Sequence, residues 1–266
     1  MKKVLTIAGS DCSGGAGIQA DLKTFSAHGV YGMSVITAIT AQNTQGVTGV
    51  QNVDPDMIGQ QLDAIFQDIE VDAVKVGMVS VPETIEIIAA KLRQYNAPNV
   101  VIDPVMVSKS GFRLLEPEAK AKLISELLPL ATVVTPNIPE GEDITGQTIT
   151  TLEDMQTAAQ AIYQMGAKNV LMKGGHRETD ATDILFDGTD FYYFPAPRIA
   201  STNTHGTGCS LSSAIAACLG KGSDVFDAVR QGKDFVTVGI EQAYPVGKGV
   251  GPINHFYGLY KQAGII

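Results

Sequence analysis

The sequence predicts an α/β fold in which helices cover both faces of a mostly parallel central sheet. Short apolar runs recur along the chain between turn residues, which is typical of strands buried on both faces. Between these runs lie segments whose apolar residues are three and four positions apart, as on one face of a helix. An Asp-Gly pair at residue 187 separates two further apolar runs and predicts a β-hairpin, which would give the sheet an antiparallel edge.

The predicted strands and helices alternate along most of the chain. The apolar runs that we interpret as buried strands lie at residues 4–8, 34–39, 73–76, 100–102, 131–134 and 170–172. The helices between them carry apolar faces at Ile18, Leu22 and Phe25, at Ile58, Leu62, Ile65 and Phe66, at Ile85, Ile88, Ala89 and Leu92, and over residues 152–165. The hairpin would pair residues 184–186 with 191–194. No linker, repeat or low-complexity segment interrupts this order, so we expect a single domain over residues 1–266.

The composition excludes several classes of protein. With 44% hydrophobic and 18% charged residues, the 266-residue chain has the composition of a folded globular protein. Its 19 basic and 28 acidic residues give a net charge of −9 without a basic cluster, which argues against nucleic acid and membrane partners. Three cysteines are too few and odd in number for a disulfide framework. The first apolar run is too short for a signal peptide or a membrane span, so we expect a cytoplasmic protein.

Residues 204–217 combine a glycine turn with the start of a helix. Gly206 and Gly208 allow a tight turn, and the apolar residues after them predict a helix that begins near residue 207 or 208. The free N–H groups and the dipole at such a helix start form an anion site. Cys209 lies in the first turn, where the pKa of a thiol is lowered, so it is a candidate thiolate and proton acceptor. A plain turn followed by a small buried cysteine fits these residues equally well.

Polar side chains follow most of the predicted strands, at the edge of a parallel sheet where ligands bind. Asp103 and Glu140 could hold a hydrated Mg²⁺, and Lys173 could reach a phosphate. A turn cap, a solvated helix start and a surface lysine are the ordinary alternatives for these three residues. The amide of Gln42 offers a donor and an acceptor that suit the edge of an aminopyrimidine, although an ordinary loop amide has the same sequence signature.

The glycine-rich turn at residues 13–17 joins the first predicted strand to the first helix. Residues 15–20 fit the dinucleotide pattern G-x-G-x-x-A. After Asp21 the next acidic residue is Asp54, so the carboxylate that would hold a ribose is missing and NAD is disfavoured. No Gly-Lys-Ser/Thr follows, which excludes a P-loop. We interpret the segment as a flexible turn that lets the backbone approach a small ligand.

Several blocks along the chain together resemble the ribokinase-like superfamily and, within it, the hydroxymethylpyrimidine/phosphomethylpyrimidine kinases of thiamine biosynthesis. The matching blocks are residues 8–11, 13–24, 41–44, 75–78, 103–106, 135–137, 173–176, 204–209 and 249–255, and Cys12 departs from the pattern of the first block. The resemblance implies a three-layer α/β/α sandwich, ATP and Mg²⁺ as cofactors, and a homodimer that acts on small molecules. It also implies two successive reactions, in which hydroxymethylpyrimidine is phosphorylated to its monophosphate and then to the pyrophosphate.

The resemblance assigns the chemical step to the start of the helix near residue 207. Gly206, Thr207 and Gly208 would form an anion hole that faces the transferring phosphoryl group. Cys209 would stand where sugar kinases of the superfamily carry an aspartate base. It would accept the proton of the substrate hydroxymethyl group while that group attacks the γ-phosphoryl group of ATP in line.

The resemblance also assigns residues to the nucleotide and to the pyrimidine. Asp103 and Glu140 would organise Mg²⁺ and the nucleotide phosphates, and Asn137 and Lys173 would also lie at the nucleotide. The pyrimidine would be recognised by Gln42, in a pocket shared with Asp21 and Met78.

Two other functions remain open from the sequence. Pyridoxal kinases of the same superfamily carry the same cysteine-containing loop, but those that prefer pyridoxal tend to have methionine where this chain has Gln42. A nucleotide or vitamin sensor without catalysis would have no need of a proton acceptor such as Cys209. The loop that closes over the site could be residues 12–17 or 109–113, and the aromatic run 191–194 could belong to a dimer interface or to a buried hairpin. Cys12 has no assigned role.

Overall fold

The computed structural model of the chain describes residues 1–107, 111, 114–177 and 180–266. In this part of the chain the central element is one mixed sheet with the strand order β3-β2-β1-β4-β5-β6-β7-β8-β9. The strands are β1 (Lys3–Asp11), β2 (Tyr31–Asn43), β3 (Gly46–Asn52), β4 (Ala73–Val76), β5 (Val100–Ile102), β6 (Val133–Val134), β7 (Val170–Met172), β8 (Asp183–Phe186) and β9 (Phe191–Phe194). The helices are α1 (Gly17–Ala27), α2 (Pro55–Phe66), α3 (Pro82–Gln94), α4 (Pro117–Lys122), α5 (Ile138–Thr145), α6 (Leu152–Gln164), α7 (Thr207–Gly220), α8 (Val225–Glu241) and α9 (Tyr257–Gln262).

The alternation of side chains along the strands creates two separate cores, one on each face of the sheet. In β5, Val100 and Ile102 belong to one core, whereas Val101 belongs to the other. Helices α2, α3 and α6 cover the first core, and α1, α7 and α8 cover the second. The predicted three-layer arrangement is therefore confirmed. None of the helices in the described ranges is long and apolar enough to cross a membrane.

The parallel centre of the sheet and its predicted antiparallel hairpin are both confirmed. Strands β1, β2 and β4–β7 run parallel, while β8 is antiparallel to β7 and β9 is antiparallel to β8. The turn between β8 and β9 contains Gly188 with a φ of +98°, a conformation that glycine adopts without strain.

The opposite edge of the sheet carries a second antiparallel strand that the sequence did not predict. Strand β3 pairs with β2 in antiparallel orientation after a short turn in which Asn43 Oδ1 accepts a hydrogen bond from the backbone N–H of Gln45 at 2.8 Å. No residue of β3 is fully buried. Because it has no continuous apolar run, β3 lacks the signal by which the other strands were recognised.

The aromatic residues of β9 pack mainly within the chain. Phe191 stacks on Phe186 with ring centroids 4.6 Å apart, and Phe194 is buried in the core. The ring of Tyr192 makes an edge contact with Phe226, whereas Tyr193 is 48% exposed. Packing within the chain thus accounts for three of the four aromatic residues without a dimer interface.

Candidate active site

A cavity of about 950 Å³ opens at the carboxyl ends of the parallel strands. This is the edge at which the sequence predicted ligand binding. The predicted site residues that line the cavity are Gln42, Met78, Asp103, Asn137, Glu140, Lys173, Gly206, Thr207, Gly208 and Cys209. Asp21 is the exception among them, and it is described below.

The amino end of α7 faces this cavity with its backbone N–H groups. Gly206 caps the helix in the left-handed conformation with a φ of +75°, and no side chain caps the first turn. A Cβ atom at Gly206 would lie 1.9 Å from the carbonyl oxygen of Gly15, so only glycine fits here. At Gly208 a Cβ atom would come 3.3 Å from Nζ of Lys173 and 3.4 Å from Oδ2 of Asp103. The bare helix end therefore opens beside the Lys173 ammonium group, which favours an anion, and beside the Asp103 carboxylate, whose charge opposes one.

Lys173 lies between two buried carboxylates at the bottom of the site. Its Nζ is 2.7 Å from Oδ1 of Asp103 and 3.8 Å from Oε2 of Glu140. Burial opposes the charge of Lys173, but the two carboxylates outweigh it and raise its pKa above the ordinary value. Burial raises the pKa of Glu140 to about 7, with the charge of Asp103 adding to this effect and Lys173 opposing it.

The Asp103 and Glu140 carboxylates fit the predicted Mg²⁺ site in their chemistry. The described residues contain no cluster of three or more metal-ligating side chains. Mg²⁺ bound together with a nucleotide needs only one or two carboxylates, because water and phosphate oxygens supply its other ligands. Oε2 of Glu140 accepts a hydrogen bond from the backbone N–H of Asn137 at 2.8 Å, which leaves the other oxygen for a ligand.

Asn137 is the amino-terminal cap of α5, and this cap positions Glu140. The Oδ1 atom of Asn137 accepts a hydrogen bond from the backbone N–H of Glu140 at 2.9 Å, which completes a capping box. The two hydrogen bonds of this capping box hold the Glu140 side chain at the cavity wall. Asn137 thus has a structural role, and the nucleotide contact that the family resemblance implies for it stays a prediction.

The prediction of a lowered pKa for Cys209 is wrong. Burial raises the pKa of this thiol to about 11, and the charges of Asp21 and Asp103 add to the effect. The ammonium group of Lys75 and a hydrogen bond from the backbone N–H of Gly17 oppose it without compensating fully. The thiol is therefore neutral near pH 7, because the loss of solvent and the two nearby carboxylates outweigh the Lys75 ammonium group and the Gly17 hydrogen bond.

Asp21 does not line the cavity, contrary to the prediction from the sequence. Its carboxylate is fully buried behind the cavity, 2.9 Å from Nζ of Lys75. It also accepts hydrogen bonds from the hydroxyl groups of Thr6 at 2.6 Å and Ser213 at 2.7 Å. Since Ser213 lies one helical turn after Cys209 in α7, Asp21 joins α1, β1, β4 and α7 behind the site.

Asp11 and His205 are site residues that the sequence analysis did not single out. Nε2 of His205 lies 2.8 Å from Oδ2 of Asp11. Burial opposes the charge of Asp11, but hydrogen bonds from His205 and Ser13 outweigh it and hold the pKa at about 2. An aspartate at the end of a strand, two residues before a Ser-Gly-Gly turn, is a common turn-forming residue, and this signal could have identified Asp11.

Hydrogen bonds link the glycine-rich turn, and Cys12 just before it, to neighbouring segments. The carbonyl oxygen of Gly14 accepts a hydrogen bond from Nζ of Lys23 at 2.7 Å. Cys12, for which the sequence suggested no role, donates its thiol proton to the carbonyl oxygen of Gln42 at 3.0 Å.

Of the other loop that could close over the site, residues 109–113, only Gly111 is described, because residues 109, 110, 112 and 113 lie outside the described residues. Which loop closes over the site stays a prediction.

A three-layer α/β/α fold with an uncapped helix start and two carboxylates at the same edge is the arrangement expected of a phosphotransferase of the ribokinase-like class. The family model for phosphomethylpyrimidine kinase matches residues 11–254. The chain therefore belongs to the phosphomethylpyrimidine kinase family.

Two relatives share about half of their residues with this chain. The hydroxymethylpyrimidine/phosphomethylpyrimidine kinase of Rhizobium meliloti is 54% identical over 97% of this chain and 98% of the relative. A thiamine biosynthesis bifunctional protein of Geobacter sulfurreducens is 53% identical over 95% of this chain, which spans only 52% of that longer protein.

Two solved structures show the same fold. A phosphomethylpyrimidine kinase from Clostridium difficile 630 has a TM-score of 0.81 and 52% identity, covering 89% of this chain and 98% of that one. An ADP complex of Bacillus subtilis pyridoxal kinase has a TM-score of 0.89 and 41% identity, covering 96% of this chain and 98% of that one. The fold is thus shared by pyrimidine and pyridoxal kinases, so the fold alone does not distinguish the two substrates.

Proposed function

We propose that this protein phosphorylates 4-amino-5-hydroxymethyl-2-methylpyrimidine with ATP, and then phosphorylates the monophosphate to the pyrophosphate, in thiamine biosynthesis. The observation that carries the proposal is one cavity lined both by the Gln42 amide and by the amino end of α7 with Cys209. The amide suits an aminopyrimidine edge, and the helix end suits a phosphoryl group. Family membership and the activity for which the Rhizobium relative is named agree with this reaction.

Phosphoryl transfer depends chiefly on positioning and on stabilising negative charge. In the proposed reaction, the N–H groups of Gly206, Thr207 and Gly208 bind the oxygens of the transferring group. Lys173 lies beside Gly208 and adds a fixed positive charge. Both contributions grow as charge develops on these oxygens in the transition state, which is the condition for catalysis.

Asp103 and Glu140 are the residues that would hold Mg²⁺, with Asn137 keeping Glu140 in place. When bound, the ion would neutralise charge on the nucleotide phosphates. Lys173 already bridges these two carboxylates at 2.7 and 3.8 Å, which keeps them together.

Cys209 is the proposed acceptor for the proton of the substrate hydroxymethyl group. With a pKa of about 11 the thiol is neutral near pH 7, so it must first release its own proton to solvent, and only the small thiolate fraction then accepts the substrate proton. The buried Lys75 ammonium group is the nearby charge that favours the thiolate form. In the second reaction the acceptor is a phosphate, which has no such hydroxyl proton, so only the first reaction needs a base.

A side-by-side assay tests this function against vitamin B6 salvage. The purified protein is incubated with ATP and Mg²⁺ and with hydroxymethylpyrimidine, its monophosphate or pyridoxal. Turnover of both pyrimidines well above pyridoxal supports the proposal. Preference for pyridoxal with an untouched monophosphate would instead assign a pyridoxal kinase, a function that the similarity to the Bacillus subtilis structure keeps open. Nucleotide binding without turnover would indicate a sensor.

We also propose that the chain acts in the cytoplasm as a homodimer of single kinase domains spanning residues 1–266. The family resemblance supports this assembly, whereas the packing of the β9 aromatics gives it no independent support. Light scattering coupled to size-exclusion chromatography should report twice the 28.1 kDa chain mass, and a monomer mass would contradict the proposal.

A further inference from the structure

Two polar neighbours determine the orientation of the Gln42 amide in the cavity wall. Its Oε1 lies 3.2 Å from Oγ1 of Thr40, and its Nε2 lies 3.3 Å from Nε2 of His205. The two ends of a primary amide have nearly the same shape, and their protons alone distinguish them. The protons available at Thr40 Oγ1 and at His205 Nε2 therefore decide which end of the Gln42 amide faces each of these two neighbours.

At His205 the proton count calls for an amide oxygen. Asp11 is ionised near neutral pH, so its Oδ2 can only accept from Nε2 of His205, 2.8 Å away. Nε2 of His205 must therefore carry a proton, whatever the charge of the ring. The one proton of Nε2 points to Asp11, so Nε2 has no lone pair to accept an N–H of Gln42 at 3.3 Å, whereas turning the Gln42 amide removes this repulsion and places its oxygen beside the partly positive N–H group.

At Thr40 the proton count calls for the amide nitrogen. The single hydroxyl proton of Thr40 is donated to the carbonyl oxygen of Ser10 at 2.8 Å. No second proton remains for Gln42, so Oγ1 of Thr40 can only accept at that contact. Both neighbours thus favour the same orientation, with the oxygen of Gln42 toward His205 and its nitrogen toward Thr40.

We propose that Asp11, His205 and Thr40 are positioning residues that hold the Gln42 amide in this orientation and thereby make the site selective for an aminopyrimidine over a pyridine ring. This inference rests on the proposed function and deepens it. A rotating amide can present its donor and acceptor in either order and so accommodate several ring edges. A fixed amide keeps one N–H and one oxygen lone pair in place for the ring nitrogen and the amino group. Pyridoxal lacks that amino group and would leave the oxygen less well paired.

The packing around these residues is suited to such a role. Asp11 and Thr40 are register partners in the adjacent strands β1 and β2. The ring of His205 lies so close to Gly15 that a Cβ atom there would come 2.3 Å from Cδ2. The backbone N–H of His205 donates to the carbonyl oxygen of Gly251 at 2.9 Å. Backbone contacts from separate segments therefore fix the histidine that orients the amide.

The test compares two substitutions at His205 on two substrates. His205→Leu removes the N–H donor, and the matched variant His205→Gln retains an N–H near the position of Nε2. We expect His205→Leu to lower kcat/KM for hydroxymethylpyrimidine about tenfold, mainly through KM, as for the loss of one hydrogen bond. The value for pyridoxal should stay within about twofold, because Gln42 is not well matched to that ring. His205→Gln should recover most of the loss.

A double-mutant cycle with Gln42→Met separates an effect of His205 on the Gln42 amide from a general effect on the loop that contains His205. If His205 acts through the amide, His205→Leu changes the pyrimidine-to-pyridoxal ratio in the wild-type background but not in the Gln42→Met background. Equal losses on both substrates, or the same change of ratio in both backgrounds, would overturn the inference.

Thr40→Val provides a second variant if His205→Leu does not fold, because it removes the acceptor for the amide nitrogen. We expect it to lower the pyrimidine-to-pyridoxal ratio, and an unchanged ratio would contradict the inference. The wild-type protein separates the two levels of the argument. Failure of the wild type to phosphorylate the pyrimidine would overturn the proposed function, whereas a wild-type preference that all these variants leave unchanged would overturn only this inference.

Discussion

Among the single residues of the site, Asp11 couples its charge to the stability of the protein. Its carboxylate is buried and accepts hydrogen bonds from the backbone N–H groups of Ser13, Gly15 and Ala16, in addition to the contact with His205. Its pKa falls from 3.8 to about 2 in the folded protein. A lowered pKa means that the folded state favours the ionised form, so this contribution is present above pH 4 and is lost as the pH falls toward 2.

The first prediction concerns the substitution Asp11→Asn. We expect it to lower the free energy of unfolding by about 2.5 kcal/mol at pH 7, because the fall in pKa from 3.8 to about 2 corresponds to about this energy. The difference from wild type should stay constant down to about pH 4.5 and shrink by about half at pH 3. Urea unfolding of both proteins across this range measures it. A difference that is the same at pH 3 and pH 7 would show that the charge of Asp11 is not the cause.

The second prediction concerns Cys209→Ala and the two successive reactions. A base is needed only where a hydroxyl group loses a proton, so the first reaction should lose about a hundredfold or more in kcat. The second reaction should lose about tenfold or less. Rapid-quench measurements with each pyrimidine separate the two steps, with nucleotide binding as the control for folding. Equal losses in both would exclude the base and favour a positional role.

The sequence predicts the positions of the site residues better than it predicts their protonation. Asp103 and Lys173 were predicted as site residues because each directly follows a strand, and such residues meet at one edge of a parallel sheet. The protonation of Cys209 was not predicted correctly, since it depends on burial and on Asp21, which approaches from α1 far away in the sequence. Burial by distant segments leaves no local pattern along the chain.

At the scale of the elements, the turn before α7 is the segment on which the site depends most. Gly206 needs a positive φ for the helix to begin at Thr207, and it needs an absent side chain for the close approach of Gly15. The sequence predicted this turn correctly, because two glycines before a helical apolar pattern have few other uses. It did not predict that the turn packs against the glycine-rich turn after β1, since nothing local links the two.

The third prediction compares Gly206→Ala with the matched control Gly29→Ala. Gly29 has a similar φ of +70°, but a Cβ atom there would meet nothing within 4 Å. We expect Gly29→Ala to cost about 1 kcal/mol from backbone strain alone and to leave kcat unchanged. Gly206→Ala must also move the backbone of Gly15, so it should cost more stability and reduce kcat by about a hundredfold or more. Equal effects of the two variants would show that the close approach to Gly15 does not matter.

At the scale of the whole molecule, the sequence predicts the buried parts of the sheet better than its edge. The central strands are buried on both faces and stand out as apolar runs, so their order along the chain was predicted correctly. Strand β3 was missed because it has no apolar pattern and is defined by its hydrogen bonds to the neighbouring strand β2. The site lies where both cores meet the carboxyl edge, so elements from the entire chain contribute to it.

Because elements from the entire chain form the site, we make a last prediction: nucleotide binding stabilises the whole fold, and Lys173 is required for this effect. A ligand that binds only the folded state at about one hundred times its Kd adds about 2.7 kcal/mol, which for a chain of this size corresponds to a rise in Tm of about 5 °C or more. ATP with Mg²⁺ should therefore raise the Tm of the wild-type protein by this amount, and chelation of the metal with EDTA should remove most of the rise. Lys173→Ala should largely abolish it, whereas the matched control Lys2→Ala, at an exposed ion pair with Asp72, should keep it in full. Differential scanning fluorimetry with and without EDTA measures all four cases, and an undiminished rise in Lys173→Ala would exclude this lysine from nucleotide binding.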